Sequence, residues 1–270
     1  MRTGFVGIGS MGSMLVRALL WSRALSVENV WAANRSAGKL TALAEEFRGI
    51  HLGSPAELAA NCDLIFLCLK AEDIAMVLAQ MDSNLHSQQL LVSTCSQVPL
   101  DTLEHRVPCR AVKLIPSITQ EIGAGVALLM YGSRVTKNDR EVIETLLRKV
   151  GHPIEIPESL SRPAIGLTSG GPAFVAYLLE SMVEEAVHSN PELESETARC
   201  MVLEMAFATL QLLAEGKMQP KEVIRRVAVH GGITALGIDV LARHMPKVWQ
   251  TLFLESAERE KISRRSFTFE

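Results

Sequence analysis

Short apolar runs alternate with stretches of helical periodicity along the first half of the chain. Strands are predicted near Arg2 to Ile8, Val30 to Ala33, Leu64 to Leu69, Leu90 to Val92, Ala111 to Leu114 and Val126 to Met130. Each is a short, nearly unbroken apolar run, the pattern of a strand covered on both faces. Between the early runs, apolar residues recur at helical spacing near Met11 to Trp21, Gly38 to Phe47 and Ile74 to Gln80, with a further helix near Asn138 to Val150. Strands separated by helices imply a Rossmann-like, doubly wound parallel sheet, because parallel neighbours need a crossover long enough to hold a helix. After Gly151 the strand signal stops, and from about Glu158 the pattern is helical almost to the end. Pro153, Pro157, Pro163 and Pro172 punctuate the change. The boundary is therefore placed near residue 155, with an α/β unit over 1–155 and an all-helical unit over 156–270.

In the helical half the pattern loses its polar face. Residues 164 to 187 (AIGLTSGGPAFVAYLLESMVEEAV) and 197 to 214 (TARCMVLEMAFATLQLLA) are apolar over most of the helix circumference, so they need cover on several sides. A helical unit of this size cannot bury two such helices alone, and a second subunit in an interlocked dimer is expected to cover them. Tyr177, Met182, Met201, Met205 and Phe207 are then core or interface residues; a Met-lined ligand pocket is the other reading.

Composition narrows the classes. The 270 residues, 48% of them hydrophobic, are enough for a sizeable core. A net charge of −3, with no basic run before the last dozen residues, gives no electrostatic footprint for nucleic acid or an anionic membrane. The five cysteines (Cys62, Cys68, Cys95, Cys109 and Cys200) show neither C-x-x-C nor Cys/His ligand spacing. Reduced thiols in a cytoplasmic protein are expected, with no disulfide frame and no metal site. No export signal is visible, and the most apolar long stretch, Cys200 to Ala214, contains Glu204 and Gln211 and reads as too short to span a bilayer.

The first chemical motif is FVGIGSMG, with Gly7, Gly9 and Gly12 at G-x-G-x-x-G spacing between a strand and a helix. That context is what a dinucleotide site requires: Gly7 for the tight turn, Gly9 for backbone approach to a pyrophosphate, Gly12 for close helix packing. The second strand ends in AANRS, where an acid would normally hold an adenosine 2′-hydroxyl. Asn34, Arg35 and Ser36 instead offer donors and a fixed charge suited to a 2′-phosphate, so NADP(H) is expected before NAD(H). Further on, LCLKAEDI puts Cys68, Leu69, Lys70 and Ala71 just past the carboxyl end of a core strand, where an open α/β sheet binds its ligand; Lys70 reads equally well as solvent-facing.

A second glycine signal lies far away, at Val229 to Gly237, VHGGITALG. Two bare residues before a helix starting at Ile233 or Thr234 could present backbone N–H groups to an anion, or simply turn the chain between helices. His230 is either a cation beside those amides or a solvent-facing turn residue. No G-x-S-x-G elbow supports a hydrolase, and no lysine lies between Val150 and Gly216 to serve as a hydroxyacid dehydrogenase's acid/base. Reduction of a cyclic imine demands less. The substrate is already partly protonated near neutral pH, so the site must mainly align C=N⁺ with a nicotinamide and hold a remote anion.

FVGIGSMG, AANRS, FLCLKAEDI, VSTCSQVPLDTLE, AVKLIPSITQ, GLTSGGPAFVAYLLESMVEEAV and AVHGGITALGIDVL occur in the order and spacing of the pyrroline-5-carboxylate reductases, and the resemblance covers nearly the whole chain. It implies reduction of 1-pyrroline-5-carboxylate to L-proline with NAD(P)H, a step of proline biosynthesis, by a homodimer that can assemble further. It implies cofactor contacts that include Ile8, Ser10, Met11 and Pro116. Ser169, Gly170, Gly171 and Pro172 are implied to face nicotinamide and substrate. Gly231, Gly232 and Ile233 would hold the carboxylate by their backbone, beside His230, and the Thr234 hydroxyl would approach the imine nitrogen as the catalytic group. The family usually reads M-P-N-T-P where this chain has Ile115-Pro116-Ser117-Ile118-Thr119, and S-P-G-G-T-T where it has Val229-His230-Gly231-Gly232-Ile233-Thr234. In these departures it resembles the late-competence paralogues, the ComER type. Two readings stay open: an imine reductase, favoured by Gly231, Gly232 and Thr234, and a cofactor-binding regulatory or interaction protein, favoured by Ser117, Ile118 and Val229.

Overall fold

The computed structural model describes residues 1–265 and divides into two compact units, Met1–Pro172 joined by the chain from Ala257 onward, and Ala173–Ser256. In the first unit the strands are β1 (Thr3–Val6), β2 (Val30–Ala33), β3 (His51–Leu52), β4 (Leu64–Leu67), β5 (Leu90–Ser93), β6 (Arg110–Ile115), β7 (Val126–Tyr131) and β8 (His152–Glu155). The helices that accompany them are α1 (Ser10–Trp21), α2 (Ala37–Glu46), α3 (Pro55–Asn61), α4 (Ala71–Met81), α5 (Leu100–Arg106), α6 (Lys137–Leu147) and α7 (Ser161–Leu167). One sheet holds all eight strands in the order β3-β2-β1-β4-β5-β6-β7-β8.

Each central strand is covered on both faces, which is why its sequence is apolar without alternation. Phe5, Phe66, Val92 and Leu114 point into one layer with Leu15, Leu19, Leu43 and Ile143 from α1, α2 and α6. Val6, Ile65, Leu67 and Leu91 point into the other, with Leu58, Ile74, Leu78 and Leu103 from α3, α4 and α5. The rings of Phe5 and Phe66 stack with centroids 4.8 Å apart, fixing β1 beside β4. Lys113, buried in β6, pairs with Glu158, and the Glu158 carboxylate also accepts the Leu100 N–H at 3.1 Å. Those bonds tie β6 and the start of α5 to the segment leading into α7.

The sheet differs from the predicted one at its far edge. β7 runs antiparallel to β6, while β8 is parallel to β7. The ten residues between β6 and β7 hold only a 3-10 turn (Ile118–Ile122), too little for a parallel crossover. The strand signal does not stop at Gly151: β8 follows, and its sequence, HPIE, hid it because an edge strand needs no apolar run and tolerates proline. Short α3 and α5 and the two-residue β3 were also absent from the periodicity. α3 is marked by a capping box, in which Glu57 N–H donates to the Ser54 hydroxyl and the Glu57 carboxylate accepts the Ser54 N–H.

The helical unit contains α8 (Gly171–Ser189, from its third residue), α9 (Ser195–Ala214), α10 (Pro220–Val227) and most of α11 (Ile233–Arg265). The run from 164 to 187 is not one helix. Gly166, Gly170 and Gly171 weaken it, the helix is interrupted between Leu167 and Gly171, and Pro172 sits in the first turn of α8, where its missing N–H costs nothing. Only Val183, Ala198 and Val202 form a buried cluster in this unit among the described residues. Tyr177 is 74% exposed and Phe207 65%, and Met182, Met201 and Met205 are exposed too, so none of the five is core within one chain. α9 starts five residues before the apolar stretch that looked too short, and at 20 residues it is long and apolar enough, by length and composition, to cross a membrane. Arg199 in its first half pairs with Glu180 of α8 at 2.8 Å.

Candidate active site

The loop between β1 and α1 is built by two glycines that the protein itself requires and one that it does not. Gly7 has φ +96°, and a Cβ there would lie 2.4 Å from the Cys68 carbonyl oxygen. A Cβ on Gly12 would lie 1.9 Å from the Gly7 oxygen. Gly9 has an ordinary φ of −85°, and a Cβ on it would meet no atom within 4 Å. Neither conformation nor packing demands glycine there, so the open space fits a ligand that approaches the backbone at the N-terminus of α1. Ser10 is exposed and Met11 half-buried on the first turn of that helix.

Asn34 holds this loop in place. Its side-chain oxygen accepts the Ile8 N–H at 2.9 Å, and its amide nitrogen donates to the Ser36 carbonyl at 3.1 Å. The Ile8 N–H is therefore engaged by the protein, while Asn34 braces the loop with its oxygen and one of its two amide hydrogens and still lines the neighbouring cavity. Arg35 and Ser36 do face a cavity of about 560 Å³, which Gly7, Asn34 and Leu69 also line. Ser36 is the N-cap of α2 and its hydroxyl makes no capping bond. Two charged residues that the sequence reading did not single out share this cavity, Lys39 from the first turn of α2 and Asp73 from the first turn of α4. Placing Ser36 as an N-cap would have put Lys39 on the same turn; nothing local marks Asp73.

Other expected residues divide. Lys70, the N-cap of α4, is exposed beside Glu72 at 3.8 Å and does not line the cavity, in keeping with its solvent-facing reading. Pro116 is buried at the carboxyl end of β6. Cys68 is partly exposed as a residue, but its thiol is buried, and that burial pushes it up to about 12, so it stays neutral near physiological pH. Ser117, 1% exposed, turns inward with its hydroxyl on Thr119 at 2.9 Å, whereas Ile118 is exposed. The serine is thus a structural residue of the turn.

Ser169, Gly170 and Gly171 form the link from α7 to α8, with the Gly170 N–H donating to the Ile165 carbonyl at 2.9 Å. In the helical unit, Gly231 has φ +78°, a conformation that calls for glycine. The Gly232 N–H donates to the Val229 carbonyl at 3.0 Å, so it closes the turn and is not a free donor. α11 begins at Ile233, where the first helical N–H groups have no partner within the helix. Thr234 is exposed on this first turn, next to exposed His230. The double glycine is both a turn and a helix N-terminus.

A glycine loop of this kind on a doubly wound sheet, with cations lining the cavity past the end of β2 and a separate helical unit, defines a dinucleotide-dependent oxidoreductase. Residues 158–262 match the family described as pyrroline-5-carboxylate reductase dimerisation, and residues 2–97 the family described as NADP oxidoreductase, coenzyme F420-dependent. The chain belongs to the pyrroline-5-carboxylate reductase family. It is 30% identical over 254 residues to ComE operon protein 4 of Bacillus subtilis (strain 168), covering 94% of this chain and 93% of that protein. It is 29% identical over 260 residues to pyrroline-5-carboxylate reductase 3 of the same organism, covering 96% and 95%. In fold it is similar to the crystal structure of Plasmodium falciparum pyrroline carboxylate reductase with NADP bound, with a TM-score of 0.84 at 22% identity over 99% of this chain and 98% of that one.

Proposed function

We propose that this protein reduces 1-pyrroline-5-carboxylate, or a close cyclic imine, to the amino acid with NADPH. The observation that carries the cofactor half is Gly9, a glycine that neither its backbone conformation nor its packing requires, next to a cavity bearing Arg35, Ser36 and Lys39. Gly7 to Gly12 hold the pyrophosphate, Arg35 and Ser36 the 2′-phosphate, and Leu69 flanks the adenosine. When bound, NADPH supplies the hydride. The chain's own work is then to hold and orient the imine. The free N–H groups at Ile233 and Thr234, with the positive end of the α11 dipole, hold the substrate carboxylate. Gly231 and Gly232 keep side chains out of its path, and Ser169 to Pro172 shape the nicotinamide side. The Thr234 hydroxyl accepts the N–H of the protonated imine and fixes its direction. No strong acid is needed, because the imine carries its proton when it binds.

The exposed apolar residues of α8 and α9 support a homodimer through the helical unit, and the five free cysteines agree with a cytoplasmic location. NADPH oxidation in the presence of pyrroline-5-carboxylate, followed beside an NADPH binding titration, tests the reading. Turnover supports the reductase. NADPH binding without turnover of this or related imines supports a cofactor-binding regulatory protein, the reading that Ser117, Val229 and the exposed Ile118 favour.

A further inference from the structure

The cavity that takes the adenosine end of the cofactor holds charges of both signs. Arg35 reaches it from the end of β2 and is 88% exposed; its Nη1 lies 3.7 Å from the Asp73 Oδ1. Asp73, on the first turn of α4, is more sheltered, with 28% of its side chain exposed. Lys39 lines this cavity and also a second one of about 230 Å³, lined by Gly9, Ser10, Ser13 and Arg17 at the N-terminus of α1. It is the charged residue common to the two cavities.

We propose that Lys39 and Asp73 together set the choice between NADPH and NADH. This rests on the cofactor reading above and deepens it. A 2′-phosphate that pairs with Arg35 enters within reach of the Asp73 carboxylate, which repels it and competes for the guanidinium. Lys39 supplies a second cation to the same cavity, from the first turn of α2 at the positive end of its dipole, and offsets that repulsion. With NADH there is no phosphate to repel. The same carboxylate then accepts the 2′-hydroxyl, the role of the acid that the sequence lacks at the end of β2. Lys39 therefore raises the preference for NADPH, and Asp73 lowers it and keeps NADH usable.

Calorimetric titration of the full chain with NADPH, NADH, 2′,5′-ADP and 5′-ADP separates these roles. Lys39→Met is expected to weaken NADPH and 2′,5′-ADP by about tenfold and to leave NADH and 5′-ADP unchanged. Lys39→Arg, which keeps the charge, is expected to retain most of the preference. Asp73→Asn is expected to tighten NADPH by roughly two- to fivefold and to weaken NADH. Melting curves check that each variant is folded; should Lys39→Met fail to fold, Lys39→Gln replaces it. Equal losses for NADPH and NADH in the Lys39 variant, or weaker NADPH binding in Asp73→Asn, overturn the proposal while leaving the cofactor reading intact. A folded wild type that binds none of the four ligands overturns the cofactor reading and this proposal with it.

Discussion

Gly9→Ala isolates the ligand's demand for glycine from the protein's. In the structure the added Cβ meets no atom within 4 Å, and φ is −85°, which alanine adopts freely. The cost to the fold is confined to the N-cap of α1, where alanine is worse than glycine by roughly 0.5–1 kcal/mol. For a chain of this size that is a fall of about 1–4 °C in the melting midpoint. Binding should suffer far more. The methyl group stands where backbone must approach a pyrophosphate, and losing one charge-assisted N–H bond of roughly 1.5–3 kcal/mol weakens NADPH by about 10- to 150-fold. Gly12→Ala is the contrasting case: its Cβ would sit 1.9 Å from the Gly7 oxygen, so the backbone must move and the fold should lose about 3 kcal/mol. The pair is read by thermal melting and by quenching of intrinsic fluorescence with NADPH. A Gly9→Ala protein that melts like wild type and still binds NADPH with wild-type affinity would refute the assignment of that space to a cofactor.

Arg35→Ala should weaken NADPH by roughly 1.5–3 kcal/mol and leave NADH nearly unchanged in the same titration; equal losses would count against a 2′-phosphate contact. Because the apolar residues of α8 and α9 are exposed in one chain, the smallest species in sedimentation at micromolar concentration should be a dimer, and a monodisperse monomer would contradict that. Burial raises Cys62 and Cys68 from an ordinary 9.0 to about 12 and Cys109 to about 11. Their neutral thiols add stability that is complete below about pH 9 and is lost as pH rises through 11–12, where only the unfolded state ionises early. Iodoacetamide should accordingly leave all three unmodified between pH 7 and 9, as judged by mass spectrometry of the native protein; labelling of any one of them would show the burial to be wrong.

What could be read from the sequence was whatever burial on two faces imposes. β1, β2, β4, β5, β6 and β7 were all found as apolar runs, and the four longest helices of the first unit were found because a sheet-facing stripe at helical spacing has no other explanation. β8 escaped because it is an edge: its residues are largely exposed, so nothing forces them to be apolar. The antiparallel turn into β7 escaped because direction is not encoded in a strand's own residues. It follows from the length of the connection, and the 3-10 turn from Ile118 to Ile122 is too short to count as a crossover.

The site divides along the same physical line. Gly7 and Gly12 were legible because backbone geometry restricts a glycine loop to few spacings, and Arg35 because it stands where an acid would otherwise be expected. Asn34 has a further use that its motif does not show. Its position beside the loop was right, and its amide serves the Ile8 N–H and the Ser36 carbonyl, a use that depends on β1 lying next to β2 and so cannot be seen along the chain. Asp73 is the strongest case of this kind. It lies 38 residues after Arg35, on a helix whose first turn welcomes an acid for its own dipole, and only the register of β1 between β2 and β4 brings it into the same cavity. A carboxylate missing from the motif is therefore not missing from the cavity, and the cofactor preference that AANRS implies has to be weighed against a charge supplied by the fold.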